Sequence, residues 1–221
     1  ETDANWDAVL DEYLAKVNNQ TGYQYERYLS RHQNKVNYTS FVYRADKYTV
    51  GNSGVTVFTW FTDAKFGHTY HMRNVGWVHL TLKSNTSKKF IVANTHWSYV
   101  KEHSGDTLSN GTKIYDGTLR LQCKDEMNSL LSTLKNSYSS IPIFVTGDFN
   151  TSLPYFTNYG WLNSSYKVVG EQAKTAGTCI TTVPTSDHFD HIFGTGSYTI
   201  KRFEFFSSIN KKDLLSDHPF V

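Results

Sequence analysis

The run Ile143-Phe144-Val145-Thr146-Gly147-Asp148-Phe149-Asn150 constrains this chain more than any other stretch. An apolar strand pattern stops at a glycine, and an acid and an amide follow two residues apart. Glycine at a strand's C-terminal end lets the backbone turn sharply and approach a ligand closely. Continued β-like alternation then points Asp148 and Asn150 the same way. An anionic acceptor beside a group that both donates and accepts suits phosphate chemistry assisted by a hard metal. By itself, Gly-Asp-x-Asn also fits an ordinary strand-to-loop turn, so the rest of the chain has to decide.

Three more segments deliver the same kinds of group at a strand end. Phe90-Ile91-Val92-Ala93-Asn94-Thr95-His96 is apolar and ends in a histidine. Asp187-His188-Phe189-Asp190-His191-Ile192-Phe193 leads an acid into a strand. Ser216-Asp217-His218-Pro219-Phe220-Val221 sets an acid and a histidine before a closing strand, with proline acceptable at its entry. Converging acids, amides and histidines are what a metal-dependent hydrolase needs.

A chain of 221 residues buries a sizeable core without disulfide or metal staples and fits one domain, 1–221. The 15 Tyr and 14 Phe suit β-rich packing. Repeats, low-complexity tracts and linkers are absent. No apolar run approaches the ~18 residues of a membrane-spanning helix. The net charge of +2 neither excludes a nucleic-acid partner nor argues for one, and nothing advertises an assembly surface, so a monomer is expected.

Cys123 falls in a predicted helix and Cys179 in a loop. Two buried thiols and a Cys123–Cys179 disulfide both remain open. Acceptor triplets for N-glycosylation occur at Asn19, Asn37, Asn85, Asn110, Asn150 and Asn163. Several would arise by chance in so Ser- and Thr-rich a chain, and Asn150 lies in the candidate site. The pattern leans toward a secreted protein.

Trp6, Val9, Leu10, Tyr13, Leu14 and Val17 recur at helical spacing and predict an amphipathic helix over 4–17. Strands are predicted at 23–29, 40–44, 47–50 and 55–61, with Gly51-Asn52-Ser53-Gly54 as a turn between the last two. Paired strands at 77–82 and 89–95 follow. A loop at 101–114 leads to a long helix over about 115–135, burying Leu119, Met127, Leu130, Leu131 and Leu134. Strand 142–146 enters the acid-amide turn, and further strands are predicted near 166–169, 189–193 and 198–206. Composition and pattern support an α/β or α+β chain.

In its motifs the sequence resembles the endonuclease/exonuclease/phosphatase superfamily typified by deoxyribonuclease I. The matching segments are Asn94-Thr95-His96, Gly147-Asp148-Phe149-Asn150, Asp190-His191-Ile192-Phe193 and Ser216-Asp217-His218-Pro219, in the family's order. Glu1, ahead of a helix, looks like the family's metal-binding glutamate, and Arg120 and Gln122 fall where the family carries a helix after its histidine strand. The resemblance implies a four-layer α/β sandwich: two packed, mostly antiparallel sheets with helices on the outer faces. The family's first strand, with its asparagine, is expected ahead of Glu1, so the domain reads as N-terminally truncated. No signal peptide is visible, which is uninformative for a trimmed chain.

The resemblance also implies a magnesium-dependent phosphoesterase, with manganese as a substitute. Glu1 and Asp217 would hold the metal. Asp148 would orient the attacking water and Asn150 would bond the phosphoryl oxygens. His218, oriented by Asp190, would be the base or a phosphate contact, and His96 would assist the leaving group or bind phosphate. The expected substrate is a phosphodiester, nucleic acid included. The alternatives are a phosphomonoesterase acting on sugar or inositol phosphates, and a binding module that keeps the fold.

Other residues carry weaker expectations. A zinc site from Asp187, His188 and His191 is imaginable, although alternation sets His191 on the other face from Asp190. His32, His68, His71, His79 and His103 read as surface or packing residues. Arg73 reads as a phosphate contact or a surface ion pair. Tyr155, Phe156, Tyr159 and Trp161 would stack a base or sugar, or cover the core.

Overall fold

A computed structural model describes residues 4–28, 31–32, 35–36, 39–59, 73–97, 104–115, 117–151, 167–177 and 189–202. Helix α1 spans Ala4–Thr21. Strand β1, Tyr25–Tyr28, pairs antiparallel with β4, Phe41–Arg44. Between them β2, Arg31–His32, and β3, Lys35–Val36, form a short ribbon. The main sheet collects β5, Tyr48–Val57; β6, Asn74–Leu82; β7, Lys89–His96; β8, Ile143–Asp148; β9, Lys167–Val168; and β10, Asp190–Thr195. Their order is β5-β6-β7-β8-β10-β9. Among the described residues only β7 and β8 pair in parallel, and helix α2, Thr118–Ser137, lies in the connection that parallel pairing requires.

Alternation along the strands decides the layers. Ile91 and Ala93 of β7, Ile143 and Val145 of β8, and Phe193 of β10 are all buried. They join one core with Leu119, Cys123, Met127, Leu131 and Leu134, spaced three and four apart along α2. The opposite face of the sheet buries Val78 and Leu80 and is approached by the β1–β4 ribbon. There the Asn94 amide donates to the Ser40 carbonyl at 3.4 Å, and the Thr39 hydroxyl donates to Asn74 Oδ1 at 2.8 Å. Helix α1 rests on β1 through buried Leu14 and through Asn18, whose side chain both donates to and accepts from the Tyr25 backbone. The architecture is therefore the expected α/β sandwich with a mostly antiparallel sheet.

Several local expectations change. Residues 51–54 do not turn: β5 runs on through them, with a bulge between Val50 and Ser53. The glycines are needed for room instead. A Cβ on Gly51 would lie 2.7 Å from His79 Nδ1, and one on Gly54 would lie 2.6 Å from Trp77 Nε1. Residues 167–168 are a strand as predicted, but a short helix, α3 at Val169–Thr175, follows at once. Residues 198–202 are not a strand; Tyr198 instead turns its ring onto Phe144, with centroids 4.9 Å apart, and its hydroxyl onto Gln172. In α1, Val9 and Tyr13 are exposed, not buried. Arg73 is buried, which rules out a surface ion pair. Cys123 is buried in the core, and Cys179 lies outside the described residues. Among the described residues no helix is long and apolar enough to cross a membrane.

His79 is a packing residue, its ring 5.5 Å from that of Tyr138. Burial pushes its imidazole below the usual histidine range, and the charge of Lys89 adds to this. The unfolded chain therefore takes up the proton first as pH falls through about 6.5. The contribution of this group to stability is full above that pH and is lost as pH falls through the depressed folded-state value. Urea midpoints should drop between pH 7.5 and pH 5, and the drop should be smaller in His79→Gln. An unchanged slope in the variant would remove His79 from this role.

Candidate active site

Strand register brings three of the sequence-predicted groups into one row. His96 ends β7 and stands opposite Asp148 at the end of β8. Asp148 in turn stands opposite Asp190 at the start of β10. Residues directly opposite across paired strands project from the same face, so histidine, acid and acid line one edge of the sheet on the face away from α2. His96 Nε2 lies 3.3 Å from Asp148 Oδ2. The Asp148 side chain is 16% exposed and that of His96 38%, so the row is reachable from solvent.

The turn after β8 is held by bonds that converge from four segments. Asp148 Oδ1 accepts the backbone N–H of Asn150 at 2.7 Å, which closes a turn around Phe149. Asn150 has φ of 48°, a left-handed conformation that asparagine tolerates better than most residues. Its amide Nδ2 donates to the Trp97 carbonyl at 2.8 Å, while Trp97 N–H donates to the Asp148 carbonyl at 2.9 Å. Arg120 of α2 donates to the Asn150 carbonyl at 3.4 Å, and Phe149 N–H donates to the Phe189 carbonyl at 2.8 Å. Phe149 is fully buried against Trp97 and Phe193. The apolar residue between acid and amide is thus an anchor, and it fixes Asp148 by burying its neighbour.

The structure also brings in Trp97, which sequence reasoning left out, and gives His191 a different use. Trp97 follows His96 directly and ties the two strand ends together. His191 is 3% exposed, with Nε2 2.9 Å from the Thr151 carbonyl. It faces the core side, away from Asp190, and secures the chain leaving the turn. That use is distinct from the imagined zinc site, whose other members, Asp187 and His188, lie outside the described residues. Alternation already indicated the face of His191; the Trp97 contact had no signal, because it is made by backbone atoms.

Glu1, Asp217 and His218 lie outside the described residues, as do Tyr155, Phe156, Tyr159 and Trp161. Among the described residues no group of three or more His, Cys, Asp or Glu side chains could hold a metal ion. What the described row offers is two carboxylates placed opposite each other. Like charges in that arrangement repel, and a neighbouring cation relieves the repulsion. Hard oxygen donors of this kind fit magnesium, which retains several waters and needs only one or two carboxylates.

No family model matches the chain, and no curated protein matches it. Solved structures do. An endonuclease/exonuclease/phosphatase protein from Bacteroides vulgatus superposes with a TM-score of 0.61 at 21% identity, covering 88% of this chain and 73% of that one. A mannosyl-6-phosphatase from Bacteroides thetaiotaomicron gives 0.57 at 16% identity, over 90% of this chain and 74% of the other. TDP2 from D. rerio, complexed with a single-strand DNA product, gives 0.52 at 16% identity over 83% of this chain. The chain spans 66% of the length of that TDP2 chain. At these identities the likeness is one of fold.

Proposed function

We propose, for a chain with the fold of the endonuclease/exonuclease/phosphatase proteins, that it is a divalent-metal-dependent phosphoesterase that hydrolyses a phosphodiester with an activated water. The observation that carries this reading is the row His96–Asp148–Asp190 across three neighbouring strand ends. Asp148 presents a carboxylate oxygen toward His96 while its other oxygen is fixed by the Asn150 N–H. A carboxylate so held can orient water and accept its proton. His96, beside it, donates to a phosphoryl or leaving oxygen. In this reading the second amide hydrogen of Asn150, beyond the one given to Trp97, goes to a phosphoryl oxygen. Asp190 orients His218, which serves as base or phosphate contact. Glu1 and Asp217 are the metal ligands in this reading. Magnesium, when bound, neutralises phosphate charge and acts as a Lewis acid.

A second reading, hydrolysis of a phosphomonoester, is favoured by the mannosyl-6-phosphatase, which matches 90% of this chain. Turnover of a bis-aryl and of a mono-aryl phosphate, with magnesium and after chelation, separates the two. Diester turnover lost on chelation and restored by magnesium or manganese supports the first. Turnover of the monoester alone moves the assignment to the second. Undiminished activity after exhaustive chelation would overturn the metal-dependent mechanism.

A further inference from the structure

The acceptor triplets for N-glycosylation are not equivalent in the folded chain. Asn150 is 9% exposed, with one amide hydrogen donated to the Trp97 carbonyl, and has no room for a sugar. Asn19 sits within α1, and the hydroxyl two residues on, Thr21 Oγ1, donates back to the Val17 carbonyl. Asn85 and Asn110 differ from both. Each is exposed, and each lies in a turn outside any helix or strand. Asn85 Oδ1 accepts from both the Ser87 hydroxyl, at 2.6 Å, and the Ser87 backbone N–H, at 3.1 Å. Asn110 Oδ1 accepts from the Thr112 N–H at 3.0 Å. In both cases the amide oxygen is engaged by the hydroxy amino acid two positions on, in a residue that is exposed. Because donor and acceptor are two residues apart, a nascent chain can form these turns before any tertiary structure exists.

We propose that Asn85 and Asn110 are N-glycan acceptors and that the chain passes through an export route carrying a lipid-linked oligosaccharide pyrophosphate. Asn Nδ2 forms a bond to C1 of the transferred sugar. The C1–O bond to pyrophosphate breaks, the lipid pyrophosphate leaves with the bonding electron pair, and the amide gives up one proton. The modification is compatible with the fold. Asn85 lies in the turn before Lys89, at the opposite end of β7 from His96, roughly 20 Å away at the rise of a strand. A polar glycan there leaves the acid-histidine edge open.

The test uses protein purified from its own source cells, treated with peptide N-glycosidase in heavy-oxygen water and mapped by mass spectrometry. Asn85 and Asn110 should be recovered as oxygen-labelled aspartate, and Asn150 as unlabelled asparagine. In the same cells Ser87→Ala should lose the label at position 85 alone, with the other positions unchanged. Recovery of unmodified asparagine at both 85 and 110 would overturn the proposal, as would labelling of Asn150.

Discussion

Asp148→Asn is expected to lower kcat for diester hydrolysis by about 10²–10⁴-fold, the usual contribution of a positioned acid–base group, with a much smaller change in KM. Asparagine is the informative replacement. Its Oδ1 still accepts the N–H of Asn150, so the turn is retained, while the negative charge beside His96 is gone. A change confined to kcat, with an unchanged urea midpoint, separates lost chemistry from lost folding. Full turnover by the variant would remove Asp148 from the mechanism and leave its row with a structural purpose only. The same substitution should also weaken the dependence of rate on magnesium concentration if the carboxylate helps to place the ion.

The largest effect on stability is expected one residue earlier. Gly147 has φ of 140°, outside the range that side chains favour, and a Cβ there would overlap the carbonyl oxygen of Thr95, its partner on β7. The obstacle is backbone in the middle of the sheet, with no flexible side chain to yield. Gly147→Ala should therefore cost about 3–5 kcal/mol, the upper tail for single substitutions, and strain the parallel pairing that sets His96 beside Asp148. Denaturant unfolding of the variant measures this. A loss below about 1 kcal/mol, the typical value for a point change, would mean that the strand ends are less tightly joined than the geometry requires. By contrast, Gly51 and Gly54 face side chains, His79 and Trp77, and alanine at either should be accommodated more readily.

The placement of residues in the candidate row was legible because strand alternation sets it. His96, Asp148 and Asp190 each stand at a strand end in sequence, and pairing placed them in register. The apolar spacing of α2 likewise identified the residues that fill the core, because a helix packed on a sheet needs a single stripe. Where expectation failed, the deciding partner was distant in the chain. The pair of glycines at 51 and 54 reads as a turn locally, but two aromatic rings on β6 explain them as clearance. Val9 and Tyr13 complete an apolar stripe on α1, yet periodicity marks a face without naming what covers it. For Arg73, read as a phosphate contact or a surface ion pair, the surface alternative came from the usual exposure of arginine, and only the folded chain shows it enclosed. Asn150 is singled out by its place two residues after Asp148, whereas its hold on Trp97, 53 positions away, requires the tertiary structure.

That last separation bears on when, during folding, His96 and Asp148 can come together. Antiparallel neighbours such as β6 and β7 meet across a short turn and can zip early. The parallel pair, β7 with β8, can form only after the intervening segment, α2 included, has crossed over and closed a long loop, an entropic hurdle that slows chains rich in distant contacts. His96 and Asp148 become neighbours at that moment and not before. A collapsed chain with its hairpins in place would still lack the acid-histidine pair. On the proposed phosphoesterase reading, regain of turnover after dilution from denaturant should consequently lag behind recovery of β-sheet circular dichroism, because the pair of His96 and Asp148 assembles only with the central crossover.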